Sequence, residues 1–310
     1  MLRCSRTEFA STLRGLIRIL AASESAWIAA PHRTADGAAN AVRHDMETFE
    51  MDSAVAPRGM QDCIPDYRNI HEVEVPAYTD IEHHTWAQLY ANQQKVLPGR
   101  ACDEFLAGLD AVGFPPDHIP RLADISDTIE RQTGWTIMRV DGLVPNYEFF
   151  KLLSERIFPS TDFIRRPDEI EYTPSPDMFH DLLGHSPLLV NPRFCTFFEE
   201  FGRAGVAAFE NPEIDPAARD WLPRIYWFTV EYGLIRNPAG LRIYGAGILS
   251  SPKEVLYSLS DGPKKLPFDL EVIANKPYDI WHMQEELFVI DSFDQLEESF
   301  YAWAQGHGLL

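Results

Sequence analysis

Two histidines five residues apart stand in the run Tyr172-Thr173-Pro174-Ser175-Pro176-Asp177-Met178-Phe179-His180-Asp181-Leu182-Leu183-Gly184-His185-Ser186-Pro187. Neutral imidazole is a common transition-metal donor, so the pair raises the question of a metal. Asp177, following Pro176, is placed to cap a helix, and Pro187 should limit that helix to about two turns. In an ideal α-helix five residues correspond to about 140° of rotation and about 7.5 Å of rise, so His180 and His185 should not stack on one face. The spacing also differs from the H-E-x-x-H zinc protease motif, whose histidines are four apart and whose intervening glutamate is a base. Both rings can still reach one metal at the flank of a short helix that deforms near Gly184 and Pro187. On spacing alone, a purely structural pair is an equal reading.

A third donor type lies downstream. The run Tyr226-Trp227-Phe228-Thr229-Val230-Glu231-Tyr232-Gly233 embeds one carboxylate among aromatic and aliphatic residues, where an unpaired buried carboxylate is costly. A cation, an exposed position or a metal would supply the compensation. Two neutral imidazoles and a carboxylate form the facial set that leaves positions open on iron(II) for oxygen chemistry, and zinc with a bound water is the rival. Trp227 precedes Glu231 by four residues, so a regular helix would set its ring on the same face as the carboxylate; ordinary core packing is the alternative. Arg165 and Arg166 stand shortly before the histidine run. The arginine fork suits bidentate capture of a carboxylate such as that of an amino acid. With 47 acidic residues in the chain, a protein carboxylate is the competing partner.

These groups need elements to carry them. Trp86, Leu89, Tyr90, Gln93 and Leu97 recur at helical spacing, as do Phe105, Leu106 and Leu109. Asn146 is placed to cap a helix bearing Phe149, Leu152, Leu153 and Ile157. Phe194, Phe197, Phe198 and Phe201 mark a fourth helix, and Trp221, Ile225, Phe228 and Tyr232 a fifth. Ser251, Pro252 and Glu254 form a capping box that starts a helix directly after Gly245-Ala246-Gly247-Ile248-Leu249-Ser250. Short β-branched or aromatic runs at 136–140, 241–244 and 287–290 are the strand candidates. The expectation is a mostly α single domain with small β-sheets.

Composition narrows the partners. With 310 residues and 45% hydrophobic content the chain can bury a large core. A net charge of -20 gives no general attraction for nucleic acid or an anionic membrane. No apolar run reaches the roughly 18 residues of a membrane span. Cys4, Cys63, Cys102 and Cys195 form no C-x-x-C pair, which fits a reducing cytoplasm. Residues 1–62, rich in Ala, Arg and Ser, read as a disordered extension; their early arginines faintly resemble a transit peptide, and a mis-assigned start is an alternative. Residues 63–310 read as the catalytic domain.

The Tyr-Thr-Pro-x-Pro-Asp-x-x-His-(acid)-Leu-Leu-Gly-His run, the Tyr-Trp-Phe-Thr-Val-Glu run and Tyr244-Gly-Ala-Gly-Ile-Leu-Ser-Ser251 occur in the order seen in the aromatic amino acid hydroxylases. The chain resembles that family over nearly all of residues 66–297, and most closely its bacterial phenylalanine 4-monooxygenases. The resemblance implies a largely helical catalytic domain in which His180, His185 and Glu231 hold Fe(II). It implies a tetrahydropterin cofactor, tetrahydrobiopterin or a bacterial equivalent, with O2 as co-substrate and an aromatic amino acid as the small-molecule partner. Arg165, Thr173 and Ser250 match contacts to the substrate's carboxylate and ammonium region, and Pro176, His180 and Trp227 match positions that flank its ring. Gly142, Leu143, Val144 and Phe149 match the pterin site. Asp181 takes the place of an acidic residue, usually glutamate, that organises pterin and water. Ser175 replaces a common acidic residue, and His282-Met283-Gln284-Glu285 departs from the usual pattern.

Trp227 stands where tryptophan hydroxylases usually have phenylalanine, and Ile280 where tyrosine hydroxylases have aspartate, so phenylalanine is the expected substrate. Tryptophan hydroxylation and 3-hydroxylation of phenylalanine are the alternatives within the family; a non-catalytic metal- and amino-acid-binding relative is the alternative of another class. The segment before Cys63 is too short for a regulatory domain and the one after Phe300 too short for a tetramerisation segment, which makes a monomer the expected state.

Overall fold

The computed structural model describes residues 63, 65, 67–170, 175–280 and 282–310. The extension assigned to residues 1–62 and the substrate contact assigned to Thr173 fall outside them. Helix α1 (Asp80–Val96) starts at Thr79, which forms a reciprocal capping box with Glu82. Helix α2 (Asp103–Val112) and helix α3 (Leu122–Thr133) each end on a left-handed glycine, Gly113 and Gly134. Strand β1 (Thr136–Val140), helix α4 (Asn146–Ser154) and strand β2 (Ile157–Thr161) follow, with β1 and β2 pairing in parallel across α4. Helix α5 (Pro192–Glu210) is capped by the Asn191 side chain. Helix α6 (Ala218–Tyr226) leads into strands β3 (Leu234–Asn237) and β4 (Gly240–Ile243). A single turn, α7 (Ala246–Leu249), precedes α8 (Pro252–Ser258), β5 (Lys264–Pro267), α9 (Leu270–Ala274), β6 (Glu286–Ile290) and α10 (Phe293–Gly306). The second sheet has the order β4-β3-β6-β5, with β3 and β4 antiparallel and the other pairs parallel.

The mostly helical architecture with small sheets is the one expected, with three local corrections. Asn146 is the first residue of α4, and Pro145 precedes it as the cap. Ile157 does not continue α4 but opens β2, because the chain turns at Arg156, whose φ is +59°. Strands β2, β3 and β5 and helices α3, α7, α9 and α10 are additions to the elements read from the sequence.

The phenylalanine face of α5 occupies the centre of the core: Phe197 and Phe201 pack on Phe300 of α10 at ring separations of 5.3 and 5.4 Å. On its other side α5 lies close to α4. A Cβ at Gly205 would stand 2.1 Å from the Phe150 ring, and one at Gly202 would stand 2.3 Å from the Ser154 nitrogen. Two missing side chains therefore seat α4, and with it Phe149, against α5. The buried Gln93 amide reaches from α1 to the Leu249 carbonyl at 2.6 Å and fixes the end of α7.

Candidate active site

Asp177 caps the histidine turn as its position suggests, accepting from the His180 N–H at 3.1 Å. From His180 to His185 the backbone then winds as a π-helix. Its i→i+5 bonding widens the turn, so residues five apart fall on nearly one face. This overturns the expectation from regular helix geometry: the two Nε2 atoms lie 3.2 Å apart, with the rings edge to face. Pro187 does not end the segment either, since Ser186–Val190 continues it as a 3-10 turn. Neighbours press on the widened turn. A Cβ at Gly184 would lie 2.9 Å from the Ala246 carbonyl oxygen of α7.

The third donor comes from a second π turn, Trp227–Glu231, which continues α6. Glu231 Oε1 lies 3.2 Å from His185 Nε2, and Oε2 lies 3.7 Å from His180 Nε2. Ligand atoms of all three residues fall within 4.8 Å of one another. Three donors about 2.1 Å from one ion at right angles would stand about 3 Å apart, so the triangle fits one metal. Ser250 Oγ meets His180 Nδ1 at 2.9 Å. The hydroxyl occupies the far nitrogen and leaves Nε2 to face the other donors, an arrangement usual for metal-bound histidine. Burial drives the His180 imidazole toward its neutral form, to about 4. Burial alone would raise Glu231, but His185 and His180 hold it down at about 2. A neutral imidazole and an ionised carboxylate are the metal-binding forms.

The same widening rearranges the aromatic surroundings. The i,i+4 relation expected between Trp227 and Glu231 gives way to two i,i+5 pairs. Tyr226 helps hold the Glu231 carboxyl low, and Trp227 meets Tyr232 at a ring separation of 4.7 Å. Trp227 also stacks on Tyr278 at 4.6 Å and 17°. Sequence reasoning passed over Tyr226, although its place five residues before Glu231 repeats the histidine spacing. Its ring stacks on His185 at 6.3 Å and receives the Phe149 edge at 5.4 Å. Phe149, matched to the pterin position, is thus one ring away from a metal-facing histidine. Beside it, Gly142 is buried and Leu143 and Val144 half-buried; Cys63 donates to the Leu143 carbonyl at 2.9 Å.

Arg165 is buried and already held. Its Nε and Nη2 donate to the two oxygens of Asp177 at 2.8 Å each, and its backbone N–H adds a third bond at 2.9 Å. The competing reading of a protein carboxylate partner is therefore met, while Nη1 is outside that fork. Asp181 directs Oδ2 to the Thr161 N–H at 2.8 Å and hydroxyl at 3.0 Å, and burial pushes its carboxyl up to about 7. Pro176 is exposed and Ile280 half-buried. The unusual 282–285 segment has a clear local role: the Gln284 amide donates to the Asp279 and His282 carbonyls at 2.7 and 3.0 Å and closes the loop that carries Ile280. Gly247 lines the carboxylate, since a Cβ there would lie 3.1 Å from Glu231 Oε2.

Comparison with known proteins agrees with this geometry. The family model for biopterin-dependent aromatic amino acid hydroxylases matches residues 52–307. The chain is similar to a phenylalanine-4-hydroxylase of Ralstonia nicotianae, 47% identical over 226 residues, covering 73% of this chain and 71% of the relative. It is also similar to the Chromobacterium violaceum phenylalanine hydroxylase structure with bound iron(III) and oxidised cofactor 7,8-dihydrobiopterin, at TM-score 0.69 and 46% identity over 74% of this chain and 82% of that one. The iron- and phenylalanine-bound structure from the same organism gives a TM-score of 0.68 and 42% identity over 76% and 90% of the two chains. The family match covers most of the chain and includes both π turns, and on that ground the chain belongs to the biopterin-dependent aromatic amino acid hydroxylases.

Proposed function

We propose that the chain is a tetrahydropterin-dependent phenylalanine 4-monooxygenase that uses Fe(II) and O2 to convert phenylalanine to tyrosine. The observation that carries the reading is the convergence of His180, His185 and Glu231 within 4.8 Å of one another. Iron and reduced pterin, when bound, supply the electrons that activate dioxygen for attack on the ring. The protein's own residues bind, orient and exclude water. Ser250 keeps His180 turned so that Nε2 faces the ligand cluster. Asp177 fixes the plane of Arg165, leaving the N–H groups outside that fork for the substrate carboxylate, and the family match supports assigning Thr173 and Ser250 to the same carboxylate and ammonium region. Pro176 and Trp227 flank the ring, and Ile280 keeps its distal side apolar. Gly142, Leu143, Val144 and Phe149 receive the pterin, with Asp181 beside them.

The Chromobacterium relative that binds iron and phenylalanine supports phenylalanine as the substrate. The reading extends to residues 63–310 as the catalytic domain, residues 1–62 as an extension, and a monomer in the cytoplasm. The buried free thiols of Cys102 and Cys195 support a reducing compartment. Among the described residues no helix is long and apolar enough to cross a membrane.

The test is anaerobic loading with Fe(II), then turnover with phenylalanine, tetrahydropterin and O2, with products separated by ring position. Tyrosine formation matched to pterin oxidation is expected. Iron uptake without any hydroxylated product would favour the non-catalytic relative, and 3-hydroxyphenylalanine would move the assignment within the family.

A further inference from the structure

Trp227 is the proposed wall of the substrate pocket, but its position is not set by its own turn alone. The indole packs on Tyr232, five residues on in the π turn, and on Tyr278, which arrives from the loop after α9. The Tyr278 contact is the flatter, at 17° and 4.6 Å, and all three rings are half-buried. The indole N–H is buried without a hydrogen-bond partner among the described residues. A polar bond at the ring edge therefore does not fix the tilt of the wall, which leaves ring stacking to do it.

Tyr278 lies two residues before Ile280, the other proposed specificity residue, and the same loop is closed by Gln284 at Asp279 and His282. A loop closed at one end and stacked on Trp227 at the other carries Ile280 to a position set by the indole. The two walls of the pocket are thus joined through one ring.

We infer that Tyr278 is a specificity-determining positioning residue: by stacking on Trp227 it fixes the tilt of the pocket wall and the placement of Ile280, and so sets the preference for a phenyl ring over an indole. The inference rests on the substrate site proposed above. The flat contact assigns the work to the ring of Tyr278 rather than to its hydroxyl. Phe at this position keeps the stack, whereas Leu fills part of the volume without a planar face.

The experiment compares kcat/KM for phenylalanine and tryptophan in iron-loaded wild type, Tyr278→Phe and Tyr278→Leu, with iron content and thermal melting measured on each. Tyr278→Phe should keep the wild-type substrate ratio. Tyr278→Leu should shift the ratio toward tryptophan by about fivefold or more, the scale of a lost ring contact in a pocket, with iron content unchanged. If Tyr278→Leu does not fold, Tyr278→Met takes its place with the same expectation. A fall in both rates that leaves the ratio unchanged overturns the inference and makes Tyr278 a structural residue only; a ratio shift as large in Tyr278→Phe overturns the stacking argument. If wild type itself hydroxylates neither substrate, it is the proposed function that fails, an outcome distinct from both.

Discussion

Asp177 holds Arg165 with both carboxylate oxygens at 2.8 Å and, through Oδ1, also accepts the His180 N–H at 3.1 Å. One buried acid thus ties the proposed substrate guanidinium to the backbone of a metal-facing histidine. Burial opposes its ionisation, yet Arg165 keeps its carboxyl below the usual range.

Arg165→Lys keeps the charge but loses the fork, so KM for phenylalanine should rise by about tenfold or more in a variant that still binds iron. Asp177→Asn should do more, because it leaves a buried guanidinium unpaired; breaking such a pair costs about 3–5 kcal/mol. Melting curves should show Asp177→Asn as the less stable variant. Its deficit should narrow as pH falls, since a carboxyl with a depressed folded pKa contributes stability above its unfolded value and loses it as pH drops through the folded value. Wild-type KM in Arg165→Lys would remove that residue from the substrate site.

Glu231→Gln removes the charge from the donor triangle and should abolish stable Fe(II) retention and turnover together. Gly247→Ala tests the same oxygen more gently. Its new Cβ would stand 3.1 Å from Oε2, so the carboxylate must shift by a few tenths of an ångström and Fe(II) affinity should fall with the fold intact. Metal titration followed by elemental analysis distinguishes the two, and full iron content in Glu231→Gln would exclude the residue as a ligand.

Ile280→Asp places an acid where a phenyl ring is expected. It should lower kcat/KM for phenylalanine by about 1–3 kcal/mol of transition-state binding and improve the relative use of tyrosine, whose hydroxyl can donate to it. Competition assays with both amino acids measure the ratio, and an unchanged ratio would place Ile280 outside the pocket.

Glu254 gives a pH prediction away from the metal ligands. Burial pushes its carboxyl from 4.5 up to about 7. The unfolded state then releases this proton at lower pH than the folded one, so the group lowers stability as pH rises through that window. Glu254→Gln should therefore raise Tm more at pH 8 than at pH 5. Equal shifts at both values would show that the carboxyl is not titrating in that range.

The helices carrying periodic aromatic residues were legible because burial selects one face: Phe194, Phe197, Phe198 and Phe201 all point into the core of α5. Helix α3 left the same signal in Leu122, Ile125 and Ile129. The ligand residues were legible by type, but their mutual geometry was not. A spacing of five contradicts an α-helix and agrees with a π-helix, and the choice between them is made by tertiary contacts such as Gly184 on Ala246. Partners distant in sequence, such as Ser250 for His180, left no local pattern. Strands β2, β3 and β5 are interrupted by Pro159 and Ser160, by Arg236 and Asn237, and by Lys264, Lys265 and Pro267, so they lack the apolar β-branched run that marks β6.

The glycines around Tyr244 have a consequence for motion. A Cβ at Gly245 would lie 2.4 Å from the Glu231 carbonyl oxygen and 2.5 Å from the Gly233 nitrogen. Bare backbone therefore rests on bare backbone from the end of the second π turn to the start of α7, and Ser250 closes the segment onto His180. Anything that stiffens the donor triangle must also stiffen this stretch, although nothing between Tyr244 and Leu249 is a ligand. Amide hydrogen exchange should accordingly slow along Tyr244–Ser250 when Fe(II) is added.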